Sequence, residues 1–286
     1  MSDPALADRR CPLCGGAGPR RLFSARDLNA RLSDESFTVV RCRCSMAFLS
    51  PAPVDPSRHY ASDYEPHRDL GDGTRRRKGS QRLRRLELLV PGRLLDVGCG
   101  SGFDLLAMRD RGWQVAGVEM NAQAAGRARA QGLDVRAGGL DEARFPDGAF
   151  EAVTLFHVLE HLLDPVAIAR EVARVLRPGG VMLAQVPNFG GMGARLFREY
   201  WYELDVPRHV NFFTPSTARR LVSGAGLKLA SLRWIESAAD FNRSLERWTG
   251  YRVRLRPMRT LLRQTIRMLN LFRTGDMLEI LARKPG

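Results

Sequence analysis

The segment from residue 93 to residue 112, R-L-L-D-V-G-C-G-S-G-F-D-L-L-A-M-R-D-R-G, decides the fold of this chain. An apolar run ends in Asp96, glycines follow at positions 98, 100 and 102, and an amphipathic pattern begins directly after them. This order predicts a strand, a tight turn and a helix, with room for a ligand against the backbone of the turn. The spacing is G-x-G-x-G, whereas dinucleotide sites carry G-x-G-x-x-G, and a pyrophosphate gains nothing from a carboxylate entering the turn. The turn therefore favours a cationic ligand with an amino-acid moiety.

A second strand fits the same architecture. The run W-Q-V-A-G-V-E-M-N ends its apolar part in Glu119, 23 residues after Asp96, where a carboxylate can accept hydrogen bonds from both ribose hydroxyls. Three more apolar runs, at residues 133–140, 150–156 and 178–188, alternate with helical patterns. This alternation predicts a Rossmann-like α/β fold, with a parallel sheet, helices on both faces and the ligand at the carboxyl ends of the strands.

With these motifs in order, the chain from about Arg77 to its end resembles the class I S-adenosylmethionine-dependent methyltransferases. The resemblance implies a seven-stranded sheet, mostly parallel with an antiparallel last strand. It places Glu119 on the ribose and Met120 against adenine, and it implies that backbone at Gly139 and Leu140 replaces an acid often found near the adenine amino group. The implied neighbours of the methionine part and of the methyl group are Asp96, Gly98, Gly100, Gly102, Phe156 and His157.

The acceptor is predicted partly from motifs that the sequence lacks. After the fourth strand stands F-H-V-L instead of the N-P-P-Y type associated with nucleobase amino groups, and beyond the N-terminal cluster only Cys99 is available to attack a pyrimidine. Methylation of nucleic-acid bases is therefore disfavoured. We expect transfer to a hydroxyl or carbon of a small molecule, glycan or lipid-linked intermediate. An RNA methyltransferase and a non-catalytic module that only binds the cofactor remain the alternatives.

Dense aromatic residues follow the fifth predicted strand. Their pattern D-x-P-R-H-x-x-F-F resembles small-molecule and glycan methyltransferases that carry an N-terminal cysteine ribbon. On that likeness His209 is the expected general base, with His157 and His161 as competitors, and Arg208 is expected to hold an anionic substrate group. These aromatic side chains either cover the acceptor pocket or fill hydrophobic core. The other expected substrate contacts are Tyr64, Tyr200, Trp201 and Phe212.

Four of the five cysteines lie near the N-terminus, in C-P-L-C and C-R-C. Such clusters indicate a metal site more often than disulfides in a cytosolic chain, so we expect a structural zinc ion on Cys11, Cys14, Cys42 and Cys44. The second pair is one residue shorter than usual, and reduced structural thiols are the alternative. The predicted divisions are a zinc-ribbon-like module at 1–50, a linker with a basic helix at 51–90 and a methyltransferase domain at 91–286.

Charge and hydropathy bear on partners. The net charge is +14, and we find no signal peptide and no apolar run long enough to span a membrane, which favours a cytoplasmic location. The chain carries a basic insert at about 236–274, within which Met258, Leu261, Leu262 and Ile266 share one helical face. Such a helix packs on its own domain, on a second subunit, or peripherally on an anionic membrane. The sequence predicts no oligomeric state.

Overall fold

The computed structural model describes residues 9–32, 34–53, 59 and 82–286. Their strands, in chain order, are β1 (Arg20–Arg26), β2 (Ser36–Arg41), β3 (Ala47–Leu49), β4 (Arg93–Val97), β5 (Gln114–Glu119), β6 (Asp134–Ala137), β7 (Phe150–Phe156), β8 (Leu176–Pro187), β9 (Asn211–Phe212), β10 (Lys228–Ile235) and β11 (Met277–Arg283). The helices are α1 (Phe103–Arg109), α2 (Ala122–Ala130), α3 (Pro165–Val175), α4 (Met192–Phe197), α5 (Pro215–Gly224), α6 (Ala238–Thr249) and α7 (Arg256–Leu269). In these residues no helix combines the length and hydropathy needed to cross a membrane.

Seven strands form the main sheet, in the order β10-β11-β8-β7-β4-β5-β6. The pairs from β8 to β6 are parallel, and β11 runs antiparallel to both of its neighbours. Both faces of β4 are covered. Because successive residues of a strand face opposite sides, Leu94 packs in one hydrophobic cluster while Leu95 and Val97 pack in the other. The expected α/β sheet with an antiparallel last strand is confirmed.

Local sequence fixes the starts of several helices. Asn121 caps α2, Asp164 caps α3 and Ser237 caps α6, each accepting a backbone N–H two or three residues into its helix. Thr214 and Thr217 form a reciprocal capping box at the start of α5, and Pro215 occupies its first turn. These caps fix the points at which the chain leaves the carboxyl edge of the sheet and returns along its faces.

A smaller antiparallel sheet is built from the N-terminal strands and one distant strand. β1, β2 and β3 form a meander, and β9 adds to its free edge through the pairs Ala47 with Phe212 and Phe48 with Asn211. The side chains of Met46 and Phe48 enter the same hydrophobic cluster as residues of the main sheet. The N-terminal strands therefore pack directly on the α/β unit.

The predicted linker lies largely outside the described residues. The described end of the linker contains a short 3-10 turn, Leu83–Arg85. In and just after this turn Leu83 and Leu86 are buried and Leu89 is partly buried, consistent with their helical spacing. The predicted basic insert holds α6, α7 and a 3-10 turn at Asn270–Phe272.

Candidate functional site

The turn after β4 leaves open space over its backbone. Gly98, Gly100 and Gly102 have φ values of 71°, 55° and 83°, which L-residues with side chains rarely adopt. A β-carbon on Gly98 would lie 2.7 Å from the side chain of Val158, whereas nothing lies within 4 Å of one built on Gly100. A ligand can therefore lie directly on the backbone at Gly100, which fits the cofactor that the motif implies.

Glu119 is fixed beside this turn by backbone amides. It is buried at the end of β5, its Oε2 accepts a hydrogen bond from the N–H of Gly100 at 2.8 Å, and its Oε1 accepts one from the N–H of Asn121 at 2.8 Å. An ionised carboxylate has about four acceptor positions. Two of them remain for a pair of ribose hydroxyls, so the residue fits its expected role.

Asp96 lies beneath the turn and is almost fully buried. The hydroxyl of Thr154 donates to its Oδ1 at 2.6 Å. Burial, with a further contribution from the carboxylate of Asp104, raises the pKa of Asp96 to about 7. A cation placed beside Asp96 favours the charged form, which links cofactor binding to pH.

The expected adenine contacts surround the ends of β5 and β6. Met120 is 76% exposed and Leu140 is buried. The N–H of Gly139 donates to Oε2 of Glu142 at 2.9 Å, so two carboxylates, Asp141 and Glu142, follow the two positions where the sequence lacks the usual acid.

Phe156 is buried at the end of β7 and contacts Arg82, a residue that the sequence patterns did not indicate as part of the site. The guanidinium of Arg82 lies 4.5 Å from the centre of the Phe156 ring and forms an ion pair with Asp104 in the first turn of α1. Arg82 directly follows residues 60–81, which are outside the described part of the chain. Tyr64, an expected substrate contact, lies among them.

A cavity of about 410 Å³ opens at the carboxyl edge of the main sheet. Its floor lies at this edge of the sheet and is formed by His157 after β7, Gln185 near the end of β8, Ile235 at the end of β10 and Met277 at the start of the antiparallel β11. Its walls come from the loop after α4 and from the start of α6. These wall residues are Tyr202, Glu203, Glu236, Ser237, Asp240 and Arg243.

Three carboxyl groups and one arginine line the cavity, beside apolar side chains such as Ile235 and Met277. Burial, followed by the charges of Asp240 and Asp205, raises the pKa of Glu203 well above its usual range. A protonated Glu203 is a hydrogen-bond donor as well as an acceptor. This lining suits an acceptor rich in hydroxyl groups.

Of the three histidines that the sequence offered as the base, His157 is the one that lines this cavity. Its backbone is left-handed, with φ of 56°, and its N–H donates to the carbonyl of Gln185 at 3.0 Å. The side chain is 41% exposed, and its Nδ1 lies 3.2 Å from Oε1 of Glu160, which is buried. Burial opposes ionisation of Glu160, but the nearby His157 and the other two histidines together lower its pKa below the usual value.

The other two histidine candidates lie deeper. His209 is buried, its Nδ1 is 2.8 Å from the carbonyl oxygen of Glu203, and it is absent from the cavity lining. Nδ1 of His161 is 3.0 Å from the carbonyl oxygen of Arg208, and burial, with the charge of His209, lowers the pKa of His161 to about 4. The two rings meet edge to face at 4.7 Å, with the carboxylate of Glu160 beside them.

Arg208 does not face a substrate, contrary to expectation. It is 1% exposed, and its guanidinium donates to both oxygens of Asp27 at 2.6 and 3.0 Å and to Asp205 at 2.6 to 3.1 Å. A further bond goes to the carbonyl of His59. The anion that Arg208 binds is thus a pair of carboxylates of the chain itself, one on the N-terminal sheet side and one in the loop that leads into β9.

The expected aromatic substrate contacts also lie mostly in the core. Trp201 and Phe212 are 1% and 2% exposed and pack in one cluster with Phe189, while Tyr200 is at the surface with 36% exposure. The core alternative therefore holds for Trp201 and Phe212. Tyr202, an aromatic residue of the same segment that is not among the expected substrate contacts, lines the cavity.

The four N-terminal cysteines come together. Sγ of Cys11 lies 3.5 Å from Sγ of Cys44, Sγ of Cys14 lies 3.6 Å from Sγ of Cys42, and all four sulfurs are within 4.8 Å of one another. The short second pair closes because the chain turns at Ser45, with φ of 74° and its N–H bonded to the carbonyl of Cys42. Four sulfurs at this separation fit a tetrahedral zinc ion with Zn–S distances of about 2.3 Å.

Comparisons with known proteins agree with this geometry. A "Methyltransferase domain" family model matches residues 72–232, more than half of the chain. A probable S-adenosylmethionine-dependent methyltransferase of Mycolicibacterium smegmatis is 38% identical over 97 residues, which are 33% of this chain and 38% of that protein. A ubiquinone biosynthesis O-methyltransferase of Aromatoleum aromaticum is 33% identical over 162 residues, which are 50% of this chain and 67% of that protein. The chain spans 38% to 45% of several relatives of this kind.

Solved structures share the fold at low identity. A SAM-dependent methyltransferase from Archaeoglobus fulgidus superposes with a TM-score of 0.54 at 18% identity, over 74% of this chain and 95% of that one. A possible histamine N-methyltransferase from Thermotoga maritima gives 0.52 at 17% identity, over 73% and 91%. With the family match, the glycine turn and the seven-stranded sheet in agreement, the chain belongs to the class I S-adenosylmethionine-dependent methyltransferases.

Proposed function

We propose that this enzyme methylates a hydroxyl group of a small molecule, either free or as part of a glycan or lipid-linked intermediate. The observation that carries the proposal is His157, which faces the cavity at the carboxyl edge of the sheet while its Nδ1 rests on the buried Glu160. The relatives named ubiquinone biosynthesis O-methyltransferases support oxygen as the methylated atom. The three carboxyl groups and the arginine of the cavity lining support an acceptor with several hydroxyl groups.

His157 takes the proton of the acceptor in this proposal. A hydroxyl is a poor nucleophile until its proton leaves, and an imidazole that titrates near neutral pH suits this task. The buried Glu160, whose pKa is lowered, lies 3.2 Å from Nδ1 of His157; a proton on that nitrogen directed at Glu160 leaves Nε2 to face the acceptor. His161 and His209 lie beside the same carboxylate and hold it in place by packing, as positioning residues. We therefore assign the base to His157 instead of His209.

The remaining groups bind and align. S-adenosylmethionine, when bound, supplies a methyl group that is already activated, so the protein needs chiefly to align the acceptor and exclude water. Glu119 and the open backbone at Gly100 hold the cofactor, and Asp96 faces its cationic part. Glu203, Asp240 and Arg243 orient the acceptor hydroxyls from the opposite wall of the cavity.

The test combines cofactor binding with methyl transfer. Variants His157→Ala, Glu160→Gln and His209→Ala are compared by calorimetry with S-adenosylmethionine and by transfer of a 14C-labelled methyl group to catechol and to simple sugars. We expect His157→Ala to keep its cofactor affinity within about twofold and to lose roughly 10²-fold or more in turnover, the usual range for a lost general base. If His209→Ala loses turnover while His157→Ala retains it, the base is His209 and the proposal is wrong.

We also propose that Cys11, Cys14, Cys42 and Cys44 hold one structural zinc ion within the module at residues 1–50. The mutual Sγ distances of the two pairs support this assignment, and four thiolates leave no open position for a substrate. Metal analysis of the purified chain should give about one zinc per chain. Cys44→Ser should lower both the zinc content and the melting temperature, while Cys99→Ser, which alters the remote cysteine of the glycine turn, should leave the zinc content unchanged. A chain that is folded and metal-free in both measurements would mean reduced structural thiols.

A further inference from the structure

The segment from residue 247 to residue 273 exposes an apolar surface that its own domain leaves uncovered. In α7 only Ile266 is buried, while Met258, Leu261 and Met268 are exposed. The next 3-10 turn adds Leu271 and Phe272 at 82% and 78% exposure, and the preceding residues add Trp248, Tyr251 and Leu255. We call these eight residues, from Trp248 to Phe272, the apolar face. Single exposed apolar residues are ordinary, but a concentration of this kind marks an interaction surface.

Arginines surround the apolar face and far outnumber the acids that offset them. Residues 247–275 contain eight arginines and no aspartate or glutamate. Arg252 pairs with Glu246, and the guanidiniums of Arg247 and Arg273 lie over aromatic rings. The other five have no carboxylate partner among the residues that the structure describes; they are Arg254, Arg256, Arg259, Arg263 and Arg267. On α7 the arginines recur at three- and four-residue intervals, on the side opposite Met258, Leu261 and Met268.

The combination of exposed apolar side chains and arginines distinguishes between three possible partners: a second copy of the chain, a nucleic acid and an anionic bilayer. A second copy of the chain would bring another strongly basic surface against the first, and like charges at an interface are costly. A nucleic acid would match the arginines but leave the apolar side chains uncovered. An anionic bilayer matches both, because apolar side chains enter the acyl boundary, arginines reach phosphate oxygens, and Trp and Tyr favour the interface. We propose that the apolar face and its arginines dock this enzyme on an anionic lipid bilayer.

The docking surface is connected to the acceptor cavity by one helix. Asp240 and Arg243 line the cavity from the first two turns of α6, and Trp248 lies at the end of the same helix. Since a helix rises about 1.5 Å per residue, the eight residues from Asp240 to Trp248 separate cavity and bilayer by about 12 Å along the axis. If the proposed function holds, this distance favours an acceptor whose hydroxyls stand at the membrane surface.

The docking test uses the full chain and needs no acceptor. Sedimentation with vesicles of phosphatidylcholine containing 30% phosphatidylglycerol is compared with vesicles of phosphatidylcholine alone, at low and high salt. We expect binding to the anionic vesicles only, weakened by salt. The variant Arg259→Gln/Arg263→Gln should bind about fivefold more weakly for each arginine removed. Leu271→Ser/Phe272→Ser should bind at least tenfold more weakly, since two exposed apolar side chains no longer enter the bilayer.

Leu88→Ser/Val90→Ser provides the matched control, because these side chains are 85% and 87% exposed outside the apolar face. This control should bind vesicles like the wild type. Equal binding to neutral and anionic vesicles, or equal loss in the control, would overturn the proposal. A dimer in sedimentation that Leu271→Ser/Phe272→Ser dissociates would assign the face to a second copy, and binding of poly(U) in preference to vesicles would assign it to RNA. Cofactor calorimetry on the same variants should remain unchanged, so failure of docking and failure of the proposed function are separate results.

Discussion

Replacing Arg208 by Met tests whether this arginine stabilises the fold or binds substrate. Arg208 donates to the carboxylates of Asp27 and Asp205, and all three side chains are at most 7% exposed. Its loss leaves two buried carboxylates without a counter-charge, and breaking one buried pair costs about 3–5 kcal/mol. Since 1 kcal/mol changes the melting temperature of a domain of this size by about 2–4 °C, we expect a melting temperature about 6–20 °C lower.

The assay is urea and thermal unfolding followed by circular dichroism, with Arg219→Met, an exposed arginine of α5, as the control that should change stability by less than about 0.5 kcal/mol. The pH dependence gives a second reading. Despite burial, the bonds to Arg208 lower the pKa values of Asp27 and Asp205 in the wild type, so their contribution is present at neutral pH and lost as the pH falls below their ordinary value near 3.8. In Arg208→Met nothing opposes the effect of burial, so the two carboxyl groups bind protons more readily. The difference in free energy of unfolding between wild type and Arg208→Met should therefore become smaller as the pH falls. Unchanged unfolding with a raised KM for the acceptor would restore Arg208 as a substrate anchor and refute this reasoning.

Two further predictions concern the cofactor. Gly100→Val should abolish S-adenosylmethionine binding in calorimetry, because the valine side chain fills the open space over the turn. The control Gly126→Ala in α2, where a β-carbon also meets nothing, should bind the cofactor normally, and equal binding of NAD by the wild type would count against the site. Affinity for S-adenosylmethionine should fall as the pH drops below about 7, by at most tenfold per unit, since Asp96 must lose a proton to face a cation; a flat profile between pH 8 and 6, or an unchanged profile in Asp96→Asn, would contradict this role.

The sequence predicted the features that depend on neighbouring residues. The strand, glycine turn and helix from Arg93 onward, the acid at Glu119 and the parallel sheet follow from short-range hydropathy patterns and turn chemistry, whereas the number of seven strands came from the family resemblance. The same holds for the four cysteines, which the chain brings together despite the short spacing of Cys42 and Cys44.

The features that it missed depend on residues far apart. The local sequence around Arg208 does not show whether its side chain faces solvent, substrate or a buried acid. Its role depends on its partner Asp27, which lies 181 positions earlier in the chain. His157 gained its place in the cavity through a left-handed backbone that a non-glycine residue rarely adopts. Glu160, three positions after His157, was the local signal that could have favoured His157 over His209.

The pairing of β3 with β9 has a consequence for synthesis of the chain. Ala47 must wait for Phe212, made 165 residues later (212 − 47), before the outer edge of the small sheet closes. At about 5–20 residues per second, a ribosome needs roughly 8–33 s for that interval. During this time the nascent N-terminal meander presents an unpaired strand edge, the kind of surface that recruits other chains. Truncations near residue 50 should leave that edge open permanently, so expression of the first fifty residues alone is expected to yield aggregates, and the C-terminal part alone lacks Asp27, a buried partner of Arg208.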